Sequence, residues 1–128
     1  MNKYFEIAEQ DYLFLKEIRN SRFYNNVAIH CQQVSEKLLK AIISDTLPDK
    51  DCMIRTHNLK RLYDCVKGNI QLEHDSELFL GSFSDFYTDS GYPGPDFVQV
   101  TKEDLYLCLK ITDELYSEVS NWITSSES

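Results

Sequence analysis

The stretch Tyr24-Asn25-Asn26-Val27-Ala28-Ile29-His30-Cys31-Gln32-Gln33-Val34-Ser35-Glu36-Lys37-Leu38-Leu39-Lys40-Ala41-Ile42-Ile43-Ser44-Asp45 decides the fold. Tyr24, Val27, Cys31, Val34, Leu38 and Ala41 recur at alternating spacings of three and four, and Ala28, Ser35 and Ile42 widen the same stripe. That is the period of a helix with one core-facing seam, here about six turns long over residues 22–45. Pro48 marks its end. The opposite side reads Asn26, His30, Gln33, Lys37 and Lys40, a polar stripe expected to face away from the core.

Working outward, residues 101–124 repeat the pattern with Leu105, Cys108, Thr112, Leu115, Val119 and Trp122. Thr101 is placed to cap that helix, and Glu103 and Asp104 sit in its first turn, where the helix dipole favours them. The tail 125–128 has nothing to bury and is expected to fray. Upstream, Phe5, Ala8, Tyr12, Leu15 and Arg19 trace a helix over residues 3–19. Only Asn20-Ser21 separates it from the second, so the two must run antiparallel. A shorter helix fits 57–67, with Thr56 as cap and Gly68-Asn69 as stop, and a further one fits 76–88. Pro93, Gly94 and Pro95 exclude a helix from 89–100, where Tyr92, Pro93 and Phe97 are expected to pack onto the bundle. The pattern predicts an all-α, antiparallel up-and-down bundle of about five helices in a single domain over 1–124, with an irregular loop near 89–100 before the last helix.

Composition narrows the function classes. The chain has 128 residues and a formal charge of −8. Residues 1–67 carry 11 Lys+Arg and 9 Asp+Glu, whereas 68–128 carry 2 and 12. Such acidity disfavours broad nucleic-acid binding, which needs cations to displace phosphate counterions. No apolar run approaches the ~18 residues of a membrane span, and the N-terminal residues do not resemble a signal peptide. Cys31, Cys52, Cys65 and Cys108 form no C-x-x-C pair or zinc spacing, and three of them fall at apolar-periodic positions, as buried free thiols do. A cytoplasmic protein without metal or cofactor is expected.

Catalytic constellations are sparse. The sequence has no Gly-rich phosphate loop and no H-E-x-x-H. His30 and Cys31 are neighbours on a helix and point about 100° apart, so they cannot act as a dyad. His74 reads as a surface residue. His57, in Arg55-Thr56-His57-Asn58-Leu59, falls at an expected helix start, a place that attracts anions.

Three blocks in this order resemble those of HEPN domains (higher eukaryotes and prokaryotes nucleotide-binding). Tyr24, Ala28 and the run Cys31-Gln32-Gln33-Val34-Ser35-Glu36-Lys37-Leu38-Leu39-Lys40-Ala41 are similar to the second-helix signature, roughly Y-x-x-A-x-x-x-x-Q-A-A-E-K-x-L-K-A. His57-Asn58-Leu59 stands where the family has His-Asp-Leu. Tyr87-Thr88-Asp89-Ser90-Gly91-Tyr92-Pro93 stands where it has a tyrosine, a short gap and Arg-Tyr-Pro. The resemblance spans about residues 4–123. It implies a helical bundle that dimerises and one of several roles: a ribonuclease, often a toxin of a toxin–antitoxin pair; a partner of a minimal nucleotidyltransferase; or a nucleotide binder. The ribonuclease signature is Arg, four to six residues, then His, and no Arg–His pair here has that spacing. Gly91 replaces the arginine of Arg-Tyr-Pro, removing a forked phosphate donor. The resemblance therefore implies a non-catalytic homodimer that binds a nucleotidyltransferase, a nucleotide or another anionic ligand, with a divergent ribonuclease or a plain interaction module as alternatives. The candidate binding residues are His30, Gln33, Lys37, Lys40, Arg55, His57, Asn58 and Tyr92.

Overall fold

The computed structural model describes residues 2–47, 55–89 and 99–127. They form five helices: α1 (Lys3–Ile18), α2 (Tyr24–Thr46), α3 (Leu59–Val66), α4 (His74–Asp89) and α5 (Lys102–Glu127). The expected all-α bundle is what forms. The last helix continues through Glu127, past the fraying expected from 125. Tyr92 and the rest of the loop before α5, up to residue 98, lie outside the described residues.

The middle of the bundle is α2, against which every other helix packs. Its predicted seam is buried from Val27 to Ile42, with Tyr24 half-buried at the end. Because helices cover α2 on several sides, burial also extends to Gln32, Leu39, Lys40 and Ile43, beyond a one-sided stripe. Contacts between α1 and α2 run antiparallel, from Phe14 on His30 to Asn2 on Ala41. By contrast α5 runs the same way as α2: Asn25 Oδ1 accepts from the Val100 amide at 2.9 Å, and Ser35 meets Thr112 hydroxyl to hydroxyl at 3.0 Å. Thr112 also donates to the Cys108 carbonyl at 2.8 Å, so the polar pair is satisfied inside the core. Cys31 and Ser35 of α2 and Cys108 of α5, all small, surround the Thr112 hydroxyl at this contact.

Local chemistry sets the helix ends. Asn2 caps α1, accepting from the Phe5 amide at 3.0 Å, while its own amide donates to the Ala41 carbonyl at 2.7 Å. Thr101 and Asp104 form a reciprocal box at the start of α5, with amide-to-side-chain distances of 3.1 and 3.2 Å. The cap of α3 is Asn58, accepting from the Arg61 amide at 3.1 Å, and not Thr56, whose hydroxyl accepts from the Asn58 amide two residues too early. Between α3 and α4 the chain is held by side chains of the acidic half. Glu118 accepts from the Gln71 amide at 3.1 Å, and Glu114 from the Glu73 amide at 3.0 Å and the Ser76 hydroxyl. Among the described residues no helix is long and apolar enough to cross a membrane.

Candidate functional site

Gln32, Glu36 and Lys40 follow one another at steps of four along α2, on the side that meets the approach to α3. Glu36 is the hub. Its Oε2 accepts from Lys40 Nζ at 3.0 Å, while its Oε1 lies 2.9 Å from His57 Nδ1 and 3.3 Å from Gln32 Nε2. Gln32 Nε2 also donates to the His57 carbonyl at 3.1 Å, so α2 holds both the backbone and the ring of His57. The Glu36 and Lys40 side chains are only 12% and 8% exposed, whereas His57 is 61% exposed. The ammonium of Lys40 is therefore spent on an internal carboxylate instead of facing solvent, as a polar stripe would have it.

The same cluster contains an unmet polar atom. Gln32 Oε1 is buried without a hydrogen-bond partner among the described residues. Its amide is oriented by the two acceptors that Nε2 serves, Glu36 and the His57 carbonyl, and turning it over would lose both. Such an orphan acceptor costs about 1–3 kcal/mol, a strain held by the rest of the cluster.

The remaining expected site residues separate. Lys37 pairs with Asp11 of α1. His30 lies edge-on to the Phe14 ring at 5.4 Å, and Gln33 is half-buried. Lys37 and His30 thus meet α1, while Lys40, His57 and Asn58 gather near the start of α3. Arg55 is exposed, and Tyr92 lies outside the described residues. Asn58 serves as a cap, so its oxygen is engaged by the Arg61 amide. The expected residues thus form two groups on either side of α2, not one pocket. Gln32 and Glu36, absent from the expected set, connect the second group; their i, i+4, i+8 register with Lys40 is the signal that would have found them.

A second polar network joins α1 to α5. Arg19 is forked onto Asp113 at 2.8 and 3.4 Å, and the Tyr12 hydroxyl donates to the same carboxylate at 2.7 Å. Tyr12 stacks on Tyr116 with ring centroids 4.0 Å apart, and the Tyr116 hydroxyl donates to Glu9 at 2.7 Å. Burial and then Asp113 push the Tyr12 phenol up to about 12, and the Asp113 bond raises the Arg19 guanidinium. This network fixes Arg19 in place with its charge already matched.

Over residues 1–122 the sequence matches the family model described as HEPN domain. The chain belongs to the HEPN family. Comparison with curated proteins and with solved structures returned no significant match. In this HEPN domain the block Gln32–Ala41 does structural work: Lys37 ties α2 to α1, and Glu36 ties it to the segment before α3. Among the described motif residues, His57 is the one whose ring is both oriented by a carboxylate and open to solvent.

Proposed function

We propose that this HEPN domain works without nuclease chemistry, as a dimeric binding subunit. The observation that carries the reading is on α1. Ile7, Leu13 and Phe14, all large and apolar, are 51%, 54% and 48% exposed on the side of α1 turned away from the core. Beside Ile7 and Phe14, which lie two turns apart on one flank, Lys37 is neutralised by Asp11 and His30 leans on Phe14, so that flank joins apolar surface to matched charge; Gln10 and Glu17 are exposed between it and Leu13. Such a surface favours a protein partner over a free anion. A second copy of the chain would cover it, and the family resemblance points to a minimal nucleotidyltransferase as a further partner. The missing Arg–His spacing supports the non-catalytic part of the reading. Replacing Leu13 and Phe14 with Glu, followed by sedimentation velocity, tests it. The wild type is expected to sediment as a dimer and the variant as a folded monomer; a dimer unaffected by both charges refutes the α1 surface.

One observation favours a second reading, the divergent ribonuclease. The His57 ring is oriented by Glu36 at 2.9 Å, an arrangement suited to a general base. RNA cleavage by the purified protein, lost in His57→Ala, would establish it.

A further inference from the structure

Hydrogen-bond donors and acceptors around Glu36 do not balance. Gln32 Nε2 spends both of its hydrogens, on Glu36 Oε1 at 3.3 Å and on the His57 carbonyl at 3.1 Å. Glu36 Oε1 also meets His57 Nδ1 at 2.9 Å, and Glu36 Oε2 accepts from Lys40 Nζ at 3.0 Å. Among the described residues this leaves one acceptor without a donor, Gln32 Oε1, on a side chain that is 0% exposed. It also leaves the Lys40 ammonium, with three hydrogens to donate and its side chain 8% exposed, bonded to Glu36 alone. Surplus buried donors and an orphan buried acceptor therefore flank one carboxylate, at i+4 and i−4 along α2.

The chemistry of the two groups says what can join them. Lys40 does not donate to Gln32 Oε1 directly. A third group would have to accept from an ammonium and donate to an amide oxygen. An anion accepts without donating, and a cation donates without accepting; a hydroxyl does both. Because Gln32 is fully buried, that group is held to the size of a water molecule. Internal waters are found in such places, making about three hydrogen bonds to polar groups that the fold alone leaves unmet. Turning the Gln32 amide over is no substitute, since it would set Oε1 against two acceptors, Glu36 and the His57 carbonyl.

We propose that Gln32 and Lys40 together bind one buried water, which donates to Gln32 Oε1 and accepts from Lys40 Nζ. The water meets the orphan acceptor and gives the buried ammonium a second partner, as a charge held away from solvent requires. It also closes Gln32, Glu36 and Lys40 into a ring. Lys40 then acts as a positioning residue for the Gln32 amide, and through it for the His57 backbone, although it touches neither. The site is separate from the α1 surface, so its failure leaves the protein-partner reading untouched, and the reverse holds too.

High-resolution crystal structures of the full chain and of Lys40→Met test this. The wild type is expected to show one water at about 2.7–3.2 Å from both Gln32 Oε1 and Lys40 Nζ. Lys40→Met keeps the length of the side chain but removes the donor, and the water is expected to be lost from it. A purely structural role for Lys40, as the partner of Glu36, would leave that water in place. The wild type in solution gives a second readout that needs no variant: the Gln32 Nε2 protons are expected to show a nuclear Overhauser cross-peak to a long-lived water, of the same sign as those between protein protons. A well-ordered cluster without the water, Gln32 Oε1 bonded to a protein donor, a water unchanged in Lys40→Met, or no such cross-peak would each overturn the proposal.

Discussion

Removing the Glu36 carboxylate should be among the most damaging single changes in this protein. Glu36 and Lys40 face each other at 3.0 Å with 12% and 8% of their side chains exposed. Breaking such a pair from one side leaves an unmatched buried charge, at about 3–5 kcal/mol. Glu36→Ala is placed in that range. Its bond to His57 adds little, because that ring is 61% exposed and surface pairs contribute about 0–1 kcal/mol. Glu36→Gln keeps an acceptor for Lys40 and is expected to cost less, about 2–3 kcal/mol. Lys40→Met leaves a carboxylate that Gln32 and His57 still serve, at about 1–2 kcal/mol. The double variant Glu36→Gln with Lys40→Met buries no charge, so the two losses should fall short of adding by about 1–2 kcal/mol. Urea unfolding of the wild type and the four variants, monitored by helical circular dichroism, measures the cycle and the cost of Glu36→Ala. A cost below about 1 kcal/mol for Glu36→Ala, or strict additivity, would refute the buried-hub reasoning.

Other consequences are more local. Asn2→Ala removes both the α1 cap and the bond to the Ala41 carbonyl, and should lower stability by about 1–2 kcal/mol, read by the same urea melts. Tyr12 makes the fold sensitive to alkali. Its folded value near 12 lies above the unfolded value, so the stability it confers is complete below about pH 10 and lost as pH rises towards 12, at most about 3 kcal/mol. Tyr12→Phe should abolish that part of the alkaline slope, and pH-resolved melts would show it. Cys31 and Cys108 are buried, and burial pushes both thiols up, Cys31 to about 12. Each should react with a thiol reagent only at the rate of global unfolding, far more slowly than half-buried Cys65, as peptide mapping after timed labelling would report.

What could be read from the sequence follows from which forces act locally. The periodic burial of Val27, Cys31, Val34 and Leu38 was legible because helical spacing and apolar character agree there. Thr101 was legible because a cap and its partner Asp104 are three residues apart. Lys40 was not, because its burial depends on how many helices surround α2, which no pattern within α2 reveals. Arg19 reads as a member of an apolar stripe until Asp113, far along the chain, is found opposite it. The acidic excess of the second half, which suggests a solvated face, is spent in part on holding the chain between α3 and α4 through Glu114 and Glu118. Of the expected site, Lys40, His57 and Asn58 gather near the start of α3, and the elements that join the first two, Gln32 and Glu36, lie in the motif itself.

The proposed dimer would cover the exposed Ile7, Leu13 and Phe14 of α1 with another copy of this chain. Sedimentation velocity of the wild type beside the Leu13→Glu, Phe14→Glu double variant tests it most directly. A dimer is expected for the first and a monomer with unchanged helical content for the second. A wild-type monomer at every concentration, or a dimer that survives both charges, would contradict it.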